Sequence, residues 1–282
     1  MTAVSAFTDD ERRHFVRYTR TQRWPLLQRF PITDDGHDGL LAQMLASTPA
    51  KIRSLIDAMR DETRAAAARM LAGRHYRATL DALPFGPDDR IVAVGDSITA
   101  DRLGWFEILA ESFHQAGTPA ATLVNLGVSG DTTADVLERF DLLEAARPSR
   151  VLLMIGTNDA REHGREGGYR MATPGETERN LRALIDLVTS QLGAAITVIT
   201  PPAVDQERID SYFRDVPVHW RAAAVAEVAD VVRKTAPDAI DLHEATREIG
   251  TAGFLEPDGV HPTSAGHQFI LDHVLGHLRA SR

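Results

Sequence analysis

The sequence predicts an α/β fold, a parallel sheet of about five strands with helices on both faces, preceded by a helical N-terminal extension. Two observations carry this. From residue 88 onward, short β-rich runs recur at intervals of roughly 30–40 residues, each followed by a helix-compatible segment, which is the βαβ rhythm. Before residue 86 no such rhythm is found, and apolar residues recur instead at three- and four-residue steps. The length of 282 residues suits one large domain, or one with an appendage, at ~150 residues per domain.

Residues 1–85 read as mostly helical. Thr8-Asp9-Asp10-Glu11 has capping-box spacing, a hydroxyl followed three residues later by a carboxylate. Thr48-Pro49 starts a second helix, with proline at the first helical position. Beyond it Ile52, Leu55, Ile56, Met59, Ala66, Ala67 and Met70 form an apolar stripe, Arg53, Asp57, Arg60, Asp61 and Arg64 fall on the other side, and Gly73 is a stop signal. Such a stripe needs a partner surface, so the extension is expected to pack on the rest of the chain. Leu83-Pro84-Phe85-Gly86-Pro87 reads as a linker. The chain therefore divides into an extension, 1–85, and an α/β domain, 86–282. In the latter, strands are expected at 90–94, 122–126, 151–155, 196–200 and 239–242, and helices over roughly 104–116, 132–146, 176–192, 218–235 and 264–280.

Composition narrows the function. The residues are 43% hydrophobic and 25% charged, which is ordinary globular composition. A net charge of −9 makes the chain a poor binder of phosphate backbones, so no nucleic-acid partner is expected. Six arginines fall in the first thirty residues, but Asp9, Asp10 and Glu11 interrupt them, which reads as a solvated helix face. There are no cysteines, which excludes disulfides, thiolate zinc sites and a cysteine nucleophile. The start, MTAVSAFTDDERRHF, lacks the apolar core of a signal peptide, and no run approaches the ~18 apolar residues of a membrane span. A cytoplasmic location is the expectation. Nothing in the sequence speaks to oligomeric state.

Candidate chemistry lies where the strands end, the place at which parallel sheets of this class hold their sites. The first run leads into Gly95-Asp96-Ser97-Ile98-Thr99, which sets a serine between strand and helix, where the helix dipole favours developing negative charge. Taken alone, Ser97 reads equally as a helix cap. The second run leads into Asn125-Leu126-Gly127-Val128-Ser129-Gly130-Asp131-Thr132, whose glycines let backbone N–H groups approach a ligand. The third leads into Gly156-Thr157-Asn158-Asp159, and the Asn158 amide is a neutral donor suited to an oxyanion. Asp258-Gly259-Val260-His261-Pro262 precedes the last helix. There an aspartate three residues ahead of a histidine can reach its Nδ1, leaving Nε2 free as a base. A metal reading of Asp258 and His261 lacks a third ligand at suitable spacing. Of the other histidines, only His243, near the end of the fifth run, draws notice.

Together, Gly95-Asp96-Ser97-Ile98, Gly130, Gly156-Thr157-Asn158-Asp159 and Asp258-x-x-His261 resemble the four sequence blocks of the SGNH, or GDSL-type, hydrolases. The resemblance spans about residues 90–275, with Ile98 standing for the usual leucine, a volume-conserving change. It implies a three-layer flavodoxin-like fold and metal-independent, cofactor-free hydrolysis of a small-molecule acyl ester. Ser97 would be the nucleophile, His261 the base and then acid, and Asp258 its orienter. The N–H groups of Ser97 and Gly130 and the amide of Asn158 would form the oxyanion hole. Three functions fit: an esterase passing the acyl group to water, an acyltransferase with another acceptor, and a catalytically silent binding module. The full set of five residues argues against the last. Substrate choice is expected to lie in the loops after the third and fourth strands. The first runs from Ala160 to Gly175 with Arg161, Glu162, Arg165, Glu166 and Arg170. The second begins at Pro201-Pro202 and carries Tyr212, Phe213 and Trp220. In the N-terminal extension, Trp24, Phe30 and Tyr76 are candidate pocket walls.

Overall fold

A computed structural model describes residues 7–117, 121–164 and 168–280. Thr8 opens α1 (Asp9–Tyr18) with the expected capping box: its hydroxyl accepts from the Glu11 N–H, and its own N–H donates to the Glu11 carboxylate at 2.7 Å. Then come α2 (Pro25–Gln28), α3 (Asp34–Met44), α4 (Pro49–Leu71), capped by Thr48, and α5 (Arg74–Asp81), whose N-cap is Gly73. The apolar stripe of α4 serves two surfaces. Ile52 and Met59 pack with Val16 of α1 and with Leu41, Ala42 and Leu45 at the end of α3. Ala66 and Ala67, further along, join the core of the sheet.

The rest of the chain alternates strand and helix: β1 (Arg90–Gly95), α6 (Ser97–Ala100), α7 (Trp105–Ala116), β2 (Thr122–Asn125), α8 (Thr133–Glu138), α9 (Phe140–Ala145) and β3 (Arg150–Met154). It continues through β4 (Glu162–His163), β5 (Tyr169–Arg170), α10 (Pro174–Asp186), β6 (Ala195–Ile199), α11 (Gln206–Tyr212), β7 (Val218–His219), α12 (Ala222–Thr235), α13 (Leu242–Ile249) and α14 (Ser264–Ala280). Four strands form one parallel sheet in the order β2-β1-β3-β6, with Val92 beside both Val124 and Val151 and Val151 beside Ile196. Successive side chains leave a strand on opposite faces, and the core divides accordingly. Ile91, Ala93, Leu152, Met154 and Ile199 face α7, α14 and α5, while Val92, Val94, Val151, Leu153 and Val198 face α8, α9, α10 and α12. Both faces are covered, which is why the strands read as continuous apolar runs.

Four expectations need correction. The fifth strand shrinks to a single parallel bridge between Ile240 and Ile199, because Asp241 caps α13, its carboxylate accepting from the Glu244 N–H at 3.1 Å. The helix expected over 132–146 breaks at Arg139, whose guanidinium turns inward onto Asp131 at 2.6 Å. The helix expected from 218 starts at Ala222, because Val218 and His219 pair with β4 instead. The stretch from Leu83 is no open linker: Leu83 is buried in the sheet core, and Phe85 packs on Phe113 with centroids 6.4 Å apart. Among the described residues no helix is long and apolar enough to cross a membrane. The strand order reverses between β1 and β3, and the crevice for a ligand opens beyond their carboxyl ends.

Candidate active site

At the end of β1 the chain turns tightly. A Cβ on Gly95 would lie 2.3 Å from the Met154 carbonyl, so only glycine lets the turn lie this close to β3. The Asp96 carboxylate caps α6, accepting from the Ile98 N–H at 2.9 Å, and burial pushes it up to about 6. Ser97 is therefore the first residue of α6 and 8% exposed.

The loop before α14 is folded by Asp258. Its Oδ1 accepts from the N–H groups of Val260 and His261, each at 2.9 Å. Its Oδ2 lies 2.6 Å from His261 Nδ1, and His261 Nε2 lies 2.9 Å from Ser97 Oγ. With Nδ1–H donating to the carboxylate, Nε2 is the acceptor for the serine hydroxyl. Burial disfavours the imidazolium, but the hydrogen bond and charge of Asp258 outweigh it and hold His261 above its ordinary value. Burial also acts to raise Asp258, and His261 with the two backbone N–H groups outweighs it, so Asp258 sits below its ordinary value.

The loops after β2 and β3 complete the crevice. Val128 N–H donates to the Gly95 carbonyl at 3.0 Å, which lays the Gly127–Gly130 turn across the exit of β1. Gly130 has a φ of +91°, a conformation L side chains rarely adopt. Asn158 is buried. Its Nδ2 donates to the Asp131 carbonyl at 3.1 Å and its Oδ1 accepts from Arg161 Nη1 at 3.2 Å, which fixes the amide and leaves one N–H without an acceptor among the described residues. Among the described residues the N–H groups of Ser97 and Gly130 also have no protein acceptor. Asp159 turns away from the crevice, accepting from the Thr133 N–H at 2.9 Å, the Thr133 hydroxyl at 2.5 Å and the Thr177 hydroxyl at 3.0 Å.

The structure thus brings Ser97, Asp258 and His261 into one chain of hydrogen bonds and sets Gly130 and Asn158 on adjoining turns. The loops after β3 and β6 pair with each other, since β4 is flanked by β5 and β7 in a small antiparallel sheet. Trp220 lies under this sheet and donates from its indole N–H to the Thr157 carbonyl at 3.1 Å. Tyr212 is exposed, its ring edge-on to Phe213. Arg165 and Glu166 lie outside the described residues. His243 sits in α13, where its N–H donates to the Thr200 hydroxyl. Tyr76 is a core residue bonded to Ser112, Phe30 is exposed, and Trp24 is the half-buried N-cap of α2. The N-terminal ring that reaches His261 is instead Tyr18, with centroids 4.5 Å apart. Tyr18 carried no sequence signal, because its contact joins distant segments. Arg161 had one, its place one turn after Asn158.

Comparison with known proteins bears on the family and the fold. The model of the GDSL-like lipase/acylhydrolase family matches residues 93–269. Esterase TesA of Pseudomonas aeruginosa is 28% identical over 193 residues, which is 65% of this chain and 85% of that protein. The lipase/acylhydrolase from Enterococcus faecalis superposes with a TM-score of 0.55 at 25% identity, covering 68% of this chain and 96% of that one. A catalytic mutant of Axe2, an acetylxylan esterase from Geobacillus stearothermophilus, shares the fold with a TM-score of 0.51 at 22% identity, covering 67% and 94% of the two chains. Residues before 93 lie outside the family match.

Proposed function

This chain belongs to the GDSL-like lipase/acylhydrolase family, and from that premise we propose that it is a serine esterase working through an acyl-enzyme on Ser97, His261 and Asp258. The observation that carries the proposal is the hydrogen-bonded chain from Asp258 Oδ2 to His261 Nδ1, at 2.6 Å, and from His261 Nε2 to Ser97 Oγ, at 2.9 Å. In the forward step Ser97 Oγ attacks the ester carbonyl carbon while its proton passes to His261 Nε2. Asp258 keeps the imidazole in the right tautomer and stabilises the imidazolium. The oxyanion of the tetrahedral intermediate meets the N–H groups of Ser97 and Gly130 and the unused N–H of Asn158. These donors are already oriented, so little reorganisation is needed as charge develops. Collapse breaks the bond to the alcohol, which leaves with the proton from His261. Water then attacks the acyl-serine with His261 again as base, and carboxylate release restores Ser97.

The same reading assigns residues 1–85 to a helical extension and residues 86–282 to the hydrolytic domain. That division is supported by β1 beginning at Arg90 and the family match at residue 93. The substrate is a small carboxylic ester. Both carboxylate oxygens of Asp258 are engaged by the imidazole and the turn, so the proposed chemistry needs no metal at this position.

The test is p-nitrophenyl acetate hydrolysis by the wild type and by Ser97→Ala. The wild type is expected to show a burst followed by turnover, and Ser97→Ala neither, with stability moved by under ~1 kcal/mol. A burst without turnover would identify an acyl acceptor other than water. Turnover by Ser97→Ala at even a tenth of the wild-type rate would assign another nucleophile.

A further inference from the structure

The proposed triad is assembled from two loops distant in the chain, and α1, which lies outside the family match, touches both. Arg17 is the junction. Its Nε lies 3.0 Å from each Asp101 oxygen and its Nη2 2.8 Å from Oδ2. Asp101 closes α6 behind the serine, its N–H donating to the Ser97 carbonyl at 2.9 Å, and it also accepts from His267 Nε2 of α14 at 2.8 Å. Nη1 of Arg17 reaches the Glu256 carboxylate at 2.7 Å and Nη2 also reaches the Pro262 carbonyl at 3.1 Å, on either side of Asp258 and His261. The next residue, Tyr18, lays its ring on the His261 imidazole, with centroids 4.5 Å apart and planes at 40°. Arg17 Cζ lies 4.9 Å from the centroid of the same ring, and His14 packs on it edge-on at 5.1 Å.

We propose that α1 is part of the active site, with Tyr18 a positioning residue whose ring holds the His261 imidazole between Asp258 and Ser97. This rests on the reading of Ser97 and His261 as nucleophile and base. Asp258 bonds one edge of the imidazole and Ser97 the other, but neither restrains the ring's faces. Tyr18 covers one face, and without it the imidazole gains room to tilt away from the serine. The ring rather than the hydroxyl carries the effect. Tyr18 is 6% exposed and its hydroxyl is buried with no hydrogen-bond partner among the described residues, so the contact with His261 rests on the ring. The helix has separate anchors. Val16 is fully buried against Leu41 and Met59, and Arg102 Nε donates to the Val16 carbonyl at 2.9 Å. A change at Tyr18 therefore leaves α1 attached.

The experiment compares the wild type, Tyr18→Phe and Tyr18→Leu in p-nitrophenyl acetate hydrolysis, with Ser97→Ala alongside. A misplaced catalytic group lowers kcat without touching substrate affinity. Tyr18→Leu is expected to lower kcat ~10–100-fold with KM changed far less, and Tyr18→Phe to restore kcat to near the wild type. Burst amplitude separates positioning from folding. A misplaced imidazole slows the burst at full amplitude, whereas a folding defect lowers the amplitude and leaves the rate per site unchanged. The proposal is overturned by the second pattern, by a wild-type kcat in Tyr18→Leu, or by Tyr18→Phe falling as far as Tyr18→Leu. Wild-type rates in Tyr18→Leu with Ser97→Ala inactive would overturn the positioning role alone. Turnover by Ser97→Ala would overturn the triad itself.

Discussion

Asn158 shows how neighbours prepare a single side chain. Its carbonyl oxygen receives Arg161 Nη1 and one of its N–H bonds reaches the Asp131 carbonyl, so the remaining N–H has a fixed direction. Asn158→Ala should lower kcat ~10²–10³-fold, about 3–4 kcal/mol, because in the proposed mechanism the amide acts on charge that exists only in the transition state. A rise in KM at unchanged kcat would instead show uniform substrate binding. Arg161→Ala should cost less. Its loss should also nearly vanish on an Asn158→Ala background, since Arg161 acts through the amide, and a double-mutant cycle measures this. At His261 the sign of the pH effect follows from the Asp258 hydrogen bond and charge, which hold the imidazole above its ordinary value. In the proposed mechanism the neutral form is the base, so kcat/KM should fall as pH drops through that raised value. The acid limb should have its midpoint above ~6.5 and move down in Asp258→Asn. A wild-type midpoint below the ordinary value would contradict the assignment.

At the scale of elements, the sequence was informative wherever a contact is local. Capping at Thr8 and Thr48, and the Asp258–His261 turn, are each closed by residues at most three apart, whereas the cap of α6 falls on Asp96 and not on Ser97. The apolar runs at β1 and β3 announce buried parallel strands by themselves. The segment at 239–242, Ala-Ile-Asp-Leu, only bridges at Ile240, because the helix cap at Asp241 wins over strand pairing, a competition periodicity does not reveal. Pairing of β4 with β5 and β7 was equally hidden, since two-residue strands carry no period. The Asp159 carboxylate is a further non-local device, joining the β3 loop to α8 through Thr133 and to α10 through Thr177. Asp159→Ala strips three buried donors of a charged acceptor, at ~1–3 kcal/mol each, so a loss of at least ~3 kcal/mol is expected in a denaturant titration. An Asp159→Ala protein as stable as the wild type would show that these bonds do not hold the helices.

For the whole molecule, the apolar stripe of α4 foretold packing but not its consequence for the site. Ala66, Ala67, Tyr76 and Leu80 lie in one cluster with Ile91, Ala93, Trp105 and Leu152, so the N-terminal helices complete the cover that α7 and α14 give one face of the sheet. Residues 86–282 expressed alone should aggregate or melt well below the full chain, because that face would be exposed, at ~1.5–3 kcal/mol for each large side chain uncovered. A soluble fragment melting like the full chain would refute the packing, and one that also keeps the full-chain kcat would refute the active-site role of α1. The two loops that meet at Ser97 and His261 are drawn together by α1, by α14 and by the sheet, and every part of the account depends on what happens at that meeting point. Rapid acid quench during p-nitrophenyl acetate turnover, followed by peptide mass mapping, tests it most directly. An acetyl group is expected on the Ser97 oxygen, formed within the burst and absent from Ser97→Ala. Acetylation of a different residue, or steady turnover with no acylated peptide and no burst, would contradict it.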